Sequence, residues 1–203
     1  AKIEKWEALR NFDKILSVAD GIMIARGDLA LESRASNVPV WQKTIIQKCV
    51  EAAKPVITAT HMLGSMTHAP RPTRSEISDV ANAVIDHTDA TMLSEESAVG
   101  AYPVRAVEMM RDIIEDTEAS PLDDRVTFTA QTGVVHHVLA MSGRACEVAR
   151  EIHAKVIFVT TRSGFTARAV SRHRPSVPIV SATEDHVVQR QLALSWGGDP
   201  YRV

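Results

Sequence analysis

Short apolar runs alternate with longer stretches of helical periodicity along the first 120 residues. The stretch after the first run carries Leu9, Phe12, Ile15 and Leu16 on one helical stripe, and similar stripes follow the later runs. The apolar runs cover residues 1–4, 21–25, 56–59 and 90–93. This alternation predicts four βα units, which make half of an eight-unit β/α barrel.

Residues that start or stop helices separate these units. Gly21 and Pro55 interrupt the helical pattern directly before the second and third runs. Thr73 and Glu76 match a capping box, and Pro103 precedes the fourth helical stripe. The pattern predicts helices over residues 6–18, 40–53, 73–86 and from 103 through about 114, with an irregular connection over residues 30–39.

A second region follows residues 120–124, whose proline and aspartates are typical of a linker. Beyond it, the pattern predicts helices over residues 134–152, from about 167 and over 185–194, strands over 156–160 and 179–182, and an extended segment over 201–203. We therefore expect an α/β protein, with a partial barrel over residues 1–120 and a small, open, incomplete α/β domain over residues 121–203.

Composition excludes several classes of protein. The chain is 45% hydrophobic and 24% charged with a net charge of -2, and no basic stripe suits nucleic acid. Cys49 and Cys146 lie far apart, so neither a disulfide scaffold nor a CxxC metal site is available. No secretory leader pattern or membrane-length apolar run is present, so we expect a cytoplasmic protein without a membrane partner.

Reactive side chains follow the predicted strands, where β/α barrels keep their chemistry. Lys2 and Glu4 are two residues apart, so both project from the same face of a strand. Asp28 follows the second strand and a tight turn at Arg26-Gly27. Glu4 and Asp28 could together hold a hard cation such as Mg²⁺. The alternatives are a solvated surface ion pair and a surface loop with a capping aspartate.

Hydroxyl groups follow the third and fourth strands. Thr58 and Thr60 lie on either side of Ala59, and Thr60 is the better candidate for a hydroxyl donor at the rim. His61 is either a proton carrier or a structural residue. Ser94 begins an acidic segment that either contributes to the site or caps a helix.

In the second region, residues 161–166 join a strand to a helix with hydroxyl side chains, a glycine and free helix amides. Such a loop can hold a phosphate, although Ser and Thr cap any helix.

Taken together, these residues resemble the pyruvate kinase family, in its order and at its spacings. The matching segments are KIE (2–4), GIMIARGDL (21–29), KPVI (54–57), AT (59–60), RPTR (71–74), SDVANA (78–83) and MLS (92–94), and the match continues through residues 161–166 and 191–194. The resemblance implies the last four βα units of a TIM (β/α)8 barrel, followed by the family's carboxyl-terminal regulatory domain.

The resemblance also implies phosphoryl transfer from phosphoenolpyruvate to ADP, which gives pyruvate and ATP. By motif position, Lys2 would stabilise charge on the transferring phosphoryl group and on the enolate. Glu4 and Asp28 would bind Mg²⁺ or Mn²⁺. Gly27 with Asp28 would present backbone amides to the substrate carboxylate, and Thr60 would hydrogen-bond to it.

Further roles are implied in the same way. Ser94 would support proton delivery, and Arg74 would lie near a subunit contact of a homotetramer. The K⁺ ion expected for the family would be bound by residues outside this chain. The candidate phosphate cradle of a sugar-phosphate effector site consists of Thr161, Ser163, Gly164 and Thr166.

The sequence departs from the family pattern at five positions. His61 stands where the family usually has Gln, Ala30 where it has Gly, and Glu95 and Ser97 within a segment that is usually Gly-Glu-Thr. Phe165 replaces a commonly polar residue in the effector loop. Glu95 would weaken binding of an anionic substrate if it faced inward.

Half a barrel leaves two sheet edges unpaired, so we expect association with another chain and no turnover by this segment alone. Two other functions are compatible with the same rim. One is a binding or assembly module without catalysis, and the other is a decarboxylase that forms an enolate without a nucleotide.

Overall fold

A computed structural model of the chain describes residues 1–122 and 137–203. These residues form two compact units, one of residues 1–50 and 56–122 and the other of residues 51–55 and 137–203. The last two positions of the predicted linker and the first three of the helix predicted from residue 134 lie outside the described residues. Within the described ranges, no helix is both long and apolar enough to cross a membrane.

The first unit is built on a parallel sheet whose strands follow one another in chain order. The strands are β1 (Lys2–Ile3), β2 (Ile22–Ala25), β3 (Val56–Ala59) and β4 (Ala90–Met92). Ile24 pairs with Ile3 on one side and with Thr58 on the other, and all three side chains are buried. The four predicted strands are confirmed, and their carboxyl ends lie along one edge of the sheet.

Helices connect these strands. They are α1 (Trp6–Arg10), α2 (Phe12–Val18), α3 (Arg26–Glu32), α4 (Val38–Glu51), α5 (Arg74–Ile85), α6 (Glu95–Ala98) and α7 (Pro103–Glu118). The capping box predicted for α5 is confirmed, because Thr73 and Glu76 satisfy each other's backbone amides. Pro103 begins α7, where a missing amide hydrogen costs nothing.

Three local predictions for this unit were wrong. The helix predicted over residues 6–18 is interrupted at Asn11, whose side-chain amide donates to the carbonyl oxygen of Glu7 at 2.9 Å. The connection predicted over residues 30–39 is largely helical, with a 3₁₀ turn at Ala35–Asn37. The turn predicted at Arg26-Gly27 is the first turn of α3.

Apolar side chains from the strands and helices form the core of the first unit. A cluster centred on α5, α7 and the 3₁₀ segment Gly64–Thr67 consists of Met62, Leu63, Met66, Val80, Ala83, Ala106, Met110 and Ile113. This cluster anchors the segment that follows β3, and that segment carries candidate site residues.

The second unit has a parallel sheet of its own, in the order β5, β6, β7. Its elements are α8 (His137–Glu151), β5 (Ile157–Thr160), α9 (Phe165–Ser171), β6 (Ile179–Thr183), α10 (His186–Leu192) and β7 (Gly198–Arg202). The predicted strands and helices are present, with small shifts at their ends. The side chains that fill the core include Val159, Ala167, Val170, Ile179, Val188 and Leu192.

Candidate active site at the strand ends

Lys2 lies between two carboxylates at the carboxyl ends of β1 and β2. Its Nζ is 2.5 Å from Oε2 of Glu4 and 3.0 Å from Oδ2 of Asp28. Glu4 follows β1 directly, whereas Asp28 lies in the first turn of α3. The side chain of Lys2 is 47% exposed and that of Asp28 is 50% exposed, so a ligand from solvent can reach this cluster.

Lys2 and Asp28 stabilise each other's ionised forms. Hydrogen bonds to Glu4 and then to Asp28 raise the pKa of Lys2 above its ordinary value. The hydrogen bond from Lys2 lowers the pKa of Asp28 in turn. Lys2 and Asp28 therefore both carry their charge at neutral pH.

Glu4 and Asp28 also fit the coordination chemistry of a divalent cation. Both carboxylates converge on one cationic group, the ammonium of Lys2. Across residues 1–122 and 137–203, no group of three His, Cys, Asp or Glu side chains surrounds a possible metal position. Mg²⁺ is commonly held by one or two carboxylates, with substrate oxygens and water as its other ligands, so two carboxylates suffice.

Thr60 and His61 follow β3 in a strained conformation. Their φ angles are 68° and 54°, in the left-handed region that β-branched residues such as threonine rarely adopt. The Oγ1 of Thr60 accepts a hydrogen bond from the Gly27 amide at 2.7 Å and donates to the Ala59 carbonyl at 2.6 Å. Thr60 is thereby brought next to the turn that carries Asp28.

Gly27 lies close to the side chains of Thr60 and His61. A Cβ atom at Gly27 would lie 3.2 Å from Cε1 of His61 and 3.4 Å from Oγ1 of Thr60. The ring of His61 therefore lies over Gly27, with its side chain exposed. By contrast, Thr58 is buried and donates to Oγ1 of Thr88 at 3.0 Å.

Arg26 is a member of the site region that sequence reasoning missed. It is only 7% exposed, and its Nη2 donates to the carbonyl oxygens of Thr60 at 2.8 Å and His61 at 3.2 Å. Its Nη1 lies 2.7 Å from Oδ2 of Asp79 and 3.2 Å from Oε1 of Gln42. Its place directly after an apolar strand was the available signal, because such a position can be buried.

Ser94 is separated from the end of β4 by Leu93 and is held through its backbone. Its amide donates to Oε2 of Glu96 at 2.7 Å, while the Leu63 amide donates to Oε1 of the same carboxylate at 3.1 Å. Glu96 is 2% exposed, so it joins the segments after β3 and β4 from inside the unit. Nothing in the sequence distinguishes Glu96 from its acidic neighbour Glu95. Glu95, in contrast, is exposed.

In the second unit, the predicted effector loop lies between β5 and α9. The Thr161 side chain is buried and its hydroxyl has no hydrogen-bond partner among the described residues. Gly164 has a φ of 78°, and a Cβ there would lie 2.6 Å from Nη1 of Arg168. A cavity of about 850 Å³ opens beside β5 and β6, and Thr161 lines it, whereas Ser163, Gly164 and Thr166 are not among its lining residues.

The fold and the strand-end cluster together define a β/α-barrel type of domain, joined to a second α/β domain. The first domain carries a lysine and two carboxylates at the carboxyl ends of its strands. Residues 1–107 match the family model for the pyruvate kinase barrel domain, and residues 139–203 match that for the pyruvate kinase alpha/beta domain. The chain belongs to the pyruvate kinase family.

Similar proteins share close to half of their aligned residues with the chain. The chain is 48% identical to a pyruvate kinase of Lactobacillus delbrueckii subsp. bulgaricus, and the match covers 98% of the chain and 34% of the relative. It is 45% identical to one of Clostridium acetobutylicum, covering 98% of the chain and 42% of the relative. A solved pyruvate kinase from Cryptosporidium parvum superposes with a TM-score of 0.90 at 41% identity, over 100% of the chain and 41% of that structure.

These comparisons confirm the family and the fold class predicted from sequence. The chain spans only 34% to 42% of the length of these curated relatives. The site residues and the domain boundary near residue 120 stay predictions. The geometry brings Lys2, Glu4, Asp28, Gly27 and Thr60 together, and Ser94 lies at the end of the neighbouring strand.

Proposed function

We propose that residues 1–122 supply the Mg²⁺- and phosphoenolpyruvate-binding half of a pyruvate kinase. The reaction transfers a phosphoryl group from phosphoenolpyruvate to ADP and yields pyruvate and ATP. One observation carries the proposal: the ammonium of Lys2 contacts both Glu4 and Asp28 at the carboxyl ends of β1 and β2. Family membership supports the same conclusion.

Lys2 has the charge and reach that phosphoryl transfer requires. Its ammonium neutralises negative charge on the phosphoryl group in transfer and on the enolate left behind. Glu4 and Asp28 hold Mg²⁺ or Mn²⁺, which supplies further charge neutralisation when bound. Because Lys2 already lies between these carboxylates, the site is organised for cations before a ligand arrives.

Thr60 and Gly27 provide polar groups for the substrate carboxylate. In the free chain they bond to each other, since the Gly27 amide donates to Oγ1 of Thr60. A bound carboxylate accepts from the Gly27 and Asp28 amides and from the Thr60 hydroxyl, replacing that mutual bond. Ser94, at the end of β4, supports delivery of the proton to the enolate.

Other parts of the proposal concern the longer proteins that this chain resembles. We expect K⁺ to be bound by residues outside this chain, ADP and ATP to be the nucleotides, and the assembly to be a cytoplasmic homotetramer. In the second unit, the buried Thr161 hydroxyl has no hydrogen-bond partner within residues 1–122 and 137–203, which supports an effector phosphate at Thr161, Ser163, Gly164 and Thr166.

Binding of oxalate, an enolate mimic, tests the metal and carboxylate site. Calorimetry on the 203-residue chain should detect oxalate binding that depends on Mg²⁺. Glu4→Gln and Asp28→Asn should each weaken it by about tenfold or more, because each removes a charged ligand. Glu7→Gln changes an exposed acid on α1 and should leave it unaltered. Equal binding by all four proteins, or binding without Mg²⁺, would contradict the proposal.

A coupled assay for pyruvate tests the activity. We expect the isolated chain to form no pyruvate from phosphoenolpyruvate and ADP, because it spans 34% to 42% of its relatives. Pyruvate formation by the chain alone would refute that expectation. Release of pyruvate from oxaloacetate, lost in Glu4→Gln and Asp28→Asn, would instead indicate a decarboxylase.

A further inference from the structure

We propose that Arg26 is a positioning residue, which holds the backbone of Thr60 and His61 in the left-handed conformation and thereby sets the Thr60 hydroxyl on the Gly27 amide. The meaning of this role rests on the proposed function, since Thr60 and Gly27 are its substrate-binding groups. The role itself is a property of the free chain.

The conformation needs an external restraint. Thr60 and His61 have φ angles of 68° and 54°, and neither residue is a glycine. Left-handed conformations of such residues persist only where the surrounding structure enforces them. Two in succession, the first β-branched, mark a segment that would relax if its contacts were removed.

Arg26 provides that restraint through both strained residues. Its Nη2 donates to the carbonyl oxygens of Thr60 and His61 at 2.8 and 3.2 Å, and its Nε lies 3.3 Å from the Thr60 carbonyl oxygen. A planar guanidinium presents these donors in a fixed geometry, so two successive carbonyls are oriented at once.

The guanidinium is itself fixed from the opposite side. Its Nη1 is 2.7 Å from Oδ2 of Asp79 on α5 and 3.2 Å from Oε1 of Gln42 on α4. Arg26 is 7% exposed, so water cannot readily replace these partners. Arg26, at the start of α3, thus links α4 and α5 to the segment after β3.

Loss of this link has a specific consequence. The Gly27 amide donates to Oγ1 of Thr60 at 2.7 Å. If Thr60 relaxed to negative φ, its side chain would turn and this hydrogen bond would be lost. Arg26→Lys tests this, because a lysine ammonium cannot serve both carbonyls and Asp79 in the same fork geometry.

Amide hydrogen exchange and NMR coupling constants on the ligand-free chain provide the readout. In Arg26→Lys, exchange of the Gly27 amide should speed up by about tenfold relative to amides of equal global protection. The coupling constants of Thr60 and His61 should shift toward the values that are characteristic of negative φ. Arg111→Lys, which changes an exposed arginine paired with Asp112, should alter neither.

A rescue variant separates positioning from general structural support. Adding His61→Gly to Arg26→Lys should restore part of the Gly27 protection, since glycine adopts positive φ without a restraint at one of the two strained positions. If Arg26→Lys fails to fold, Asp79→Asn decides by the same measurements, with faster Gly27 exchange expected. Unchanged Gly27 exchange in the tested variant, or loss of protection that is uniform across the unit, would overturn the proposal.

The outcome is independent of the proposed function. The exchange experiment contains no Mg²⁺ and no oxalate, so it reads the positioning role even if the chain binds neither. If the parent chain binds oxalate, Arg26→Lys should raise the dissociation constant of oxalate by about tenfold, because the restraint on Thr60 is lost. An unchanged dissociation constant beside faster Gly27 exchange would separate the restraint from binding and refute the functional part of the proposal.

Discussion

Thr58 and Thr60 show how two identical residues acquire different roles from their positions. Thr58 is within β3, fully buried, and its hydroxyl pairs with that of Thr88. Thr60 lies just beyond the strand, half-buried, and bonds to the Gly27 amide. Thr58 keeps the extended backbone of β3, whereas Thr60 lies past the strand end with a φ of 68°, so only Thr60 reaches the turn that carries Gly27.

Removal of the Thr60 hydroxyl should weaken ligand binding. We expect Thr60→Ala to reduce Mg²⁺-dependent oxalate affinity about tenfold, which corresponds to the loss of roughly one hydrogen bond. Thr60→Ser keeps the hydroxyl and should stay close to the parent chain. Calorimetry with the three proteins measures the difference, and equal losses in both variants would assign the effect to the side-chain methyl group.

The ion pair of Lys2 and Asp28 should respond to pH only at the extremes. The pKa of Asp28 is lowered from 3.8, so its ion pair contributes above that value and is lost as pH falls through the lower pKa of the folded state. The pKa of Lys2 is raised from 10.5, so its contribution is lost only as pH rises beyond that value. Between these limits the ion pair of Lys2 and Asp28 should stay intact.

Carbon NMR of the carboxyl groups tests the acid limit. The midpoint for Asp28 should lie below 3.8, because the hydrogen bond from Lys2 favours the carboxylate. Lys2→Met should move this midpoint upward, whereas Lys14→Met, on an exposed face of α2, should not. A midpoint at or above the ordinary value in the parent chain would show that the ion pair does not form in solution.

Elements with strong local signals were predictable from sequence. The four strands of the first sheet follow directly from apolar runs with clear boundaries, and the start of α5 follows from Thr73 and Glu76. Lys2 and Glu4 were found from strand periodicity, and Asp28 from its place after an apolar run.

Other features of the chain could not be predicted from the local pattern of apolar and polar residues. The helix break at Asn11 depends on a side-chain bond that competes with the backbone, and α3 begins within residues that resemble a turn. Arg26 and Glu96 are charged residues, which are usually exposed. Their burial depends on Asp79 and on the Leu63 amide, partners far along the chain that local pattern cannot reveal.

Packing of α8 against α9 should depend on pH through His173. Burial, with a smaller effect of Arg172, lowers the pKa of His173 from 6.5 to about 4. The unfolded chain binds a proton below 6.5 while the folded chain does not until about 4, so stability should fall over that interval as pH falls. Because His173 is partly exposed, we expect the free energy of unfolding to fall by only about 1 kcal/mol over this interval.

Urea unfolding at several pH values checks this expectation. His173→Gln keeps a polar group near Ser142, whose Oγ lies 3.3 Å from Nε2 of His173, but cannot bind the proton. The parent chain should lose more stability than His173→Gln as pH falls from 6.5 to 4. The same pH dependence in both proteins would rule out His173 as its origin.

At the scale of the whole molecule, the two units carry separate sheets and separate candidate sites. Mg²⁺ with oxalate should therefore act first on the first unit. At a hundredfold excess over the dissociation constant, a ligand of the native state adds about 2.7 kcal/mol to stability. Amide hydrogen exchange should show this added protection in β1 to β4, and Mg²⁺ alone should give less. No change in those strands would contradict the site.

The strands of the first sheet stand side by side in the order in which they occur along the chain. During synthesis on the ribosome, each of the later strands therefore leaves the ribosome after the strand that it pairs with, and the pairing edge of that earlier strand is still free. Each strand pair within this sheet joins two strands that are consecutive along the chain. The loops that must close to form these pairs are therefore short. The sheet can grow by one βα unit at a time, at the pace of translation.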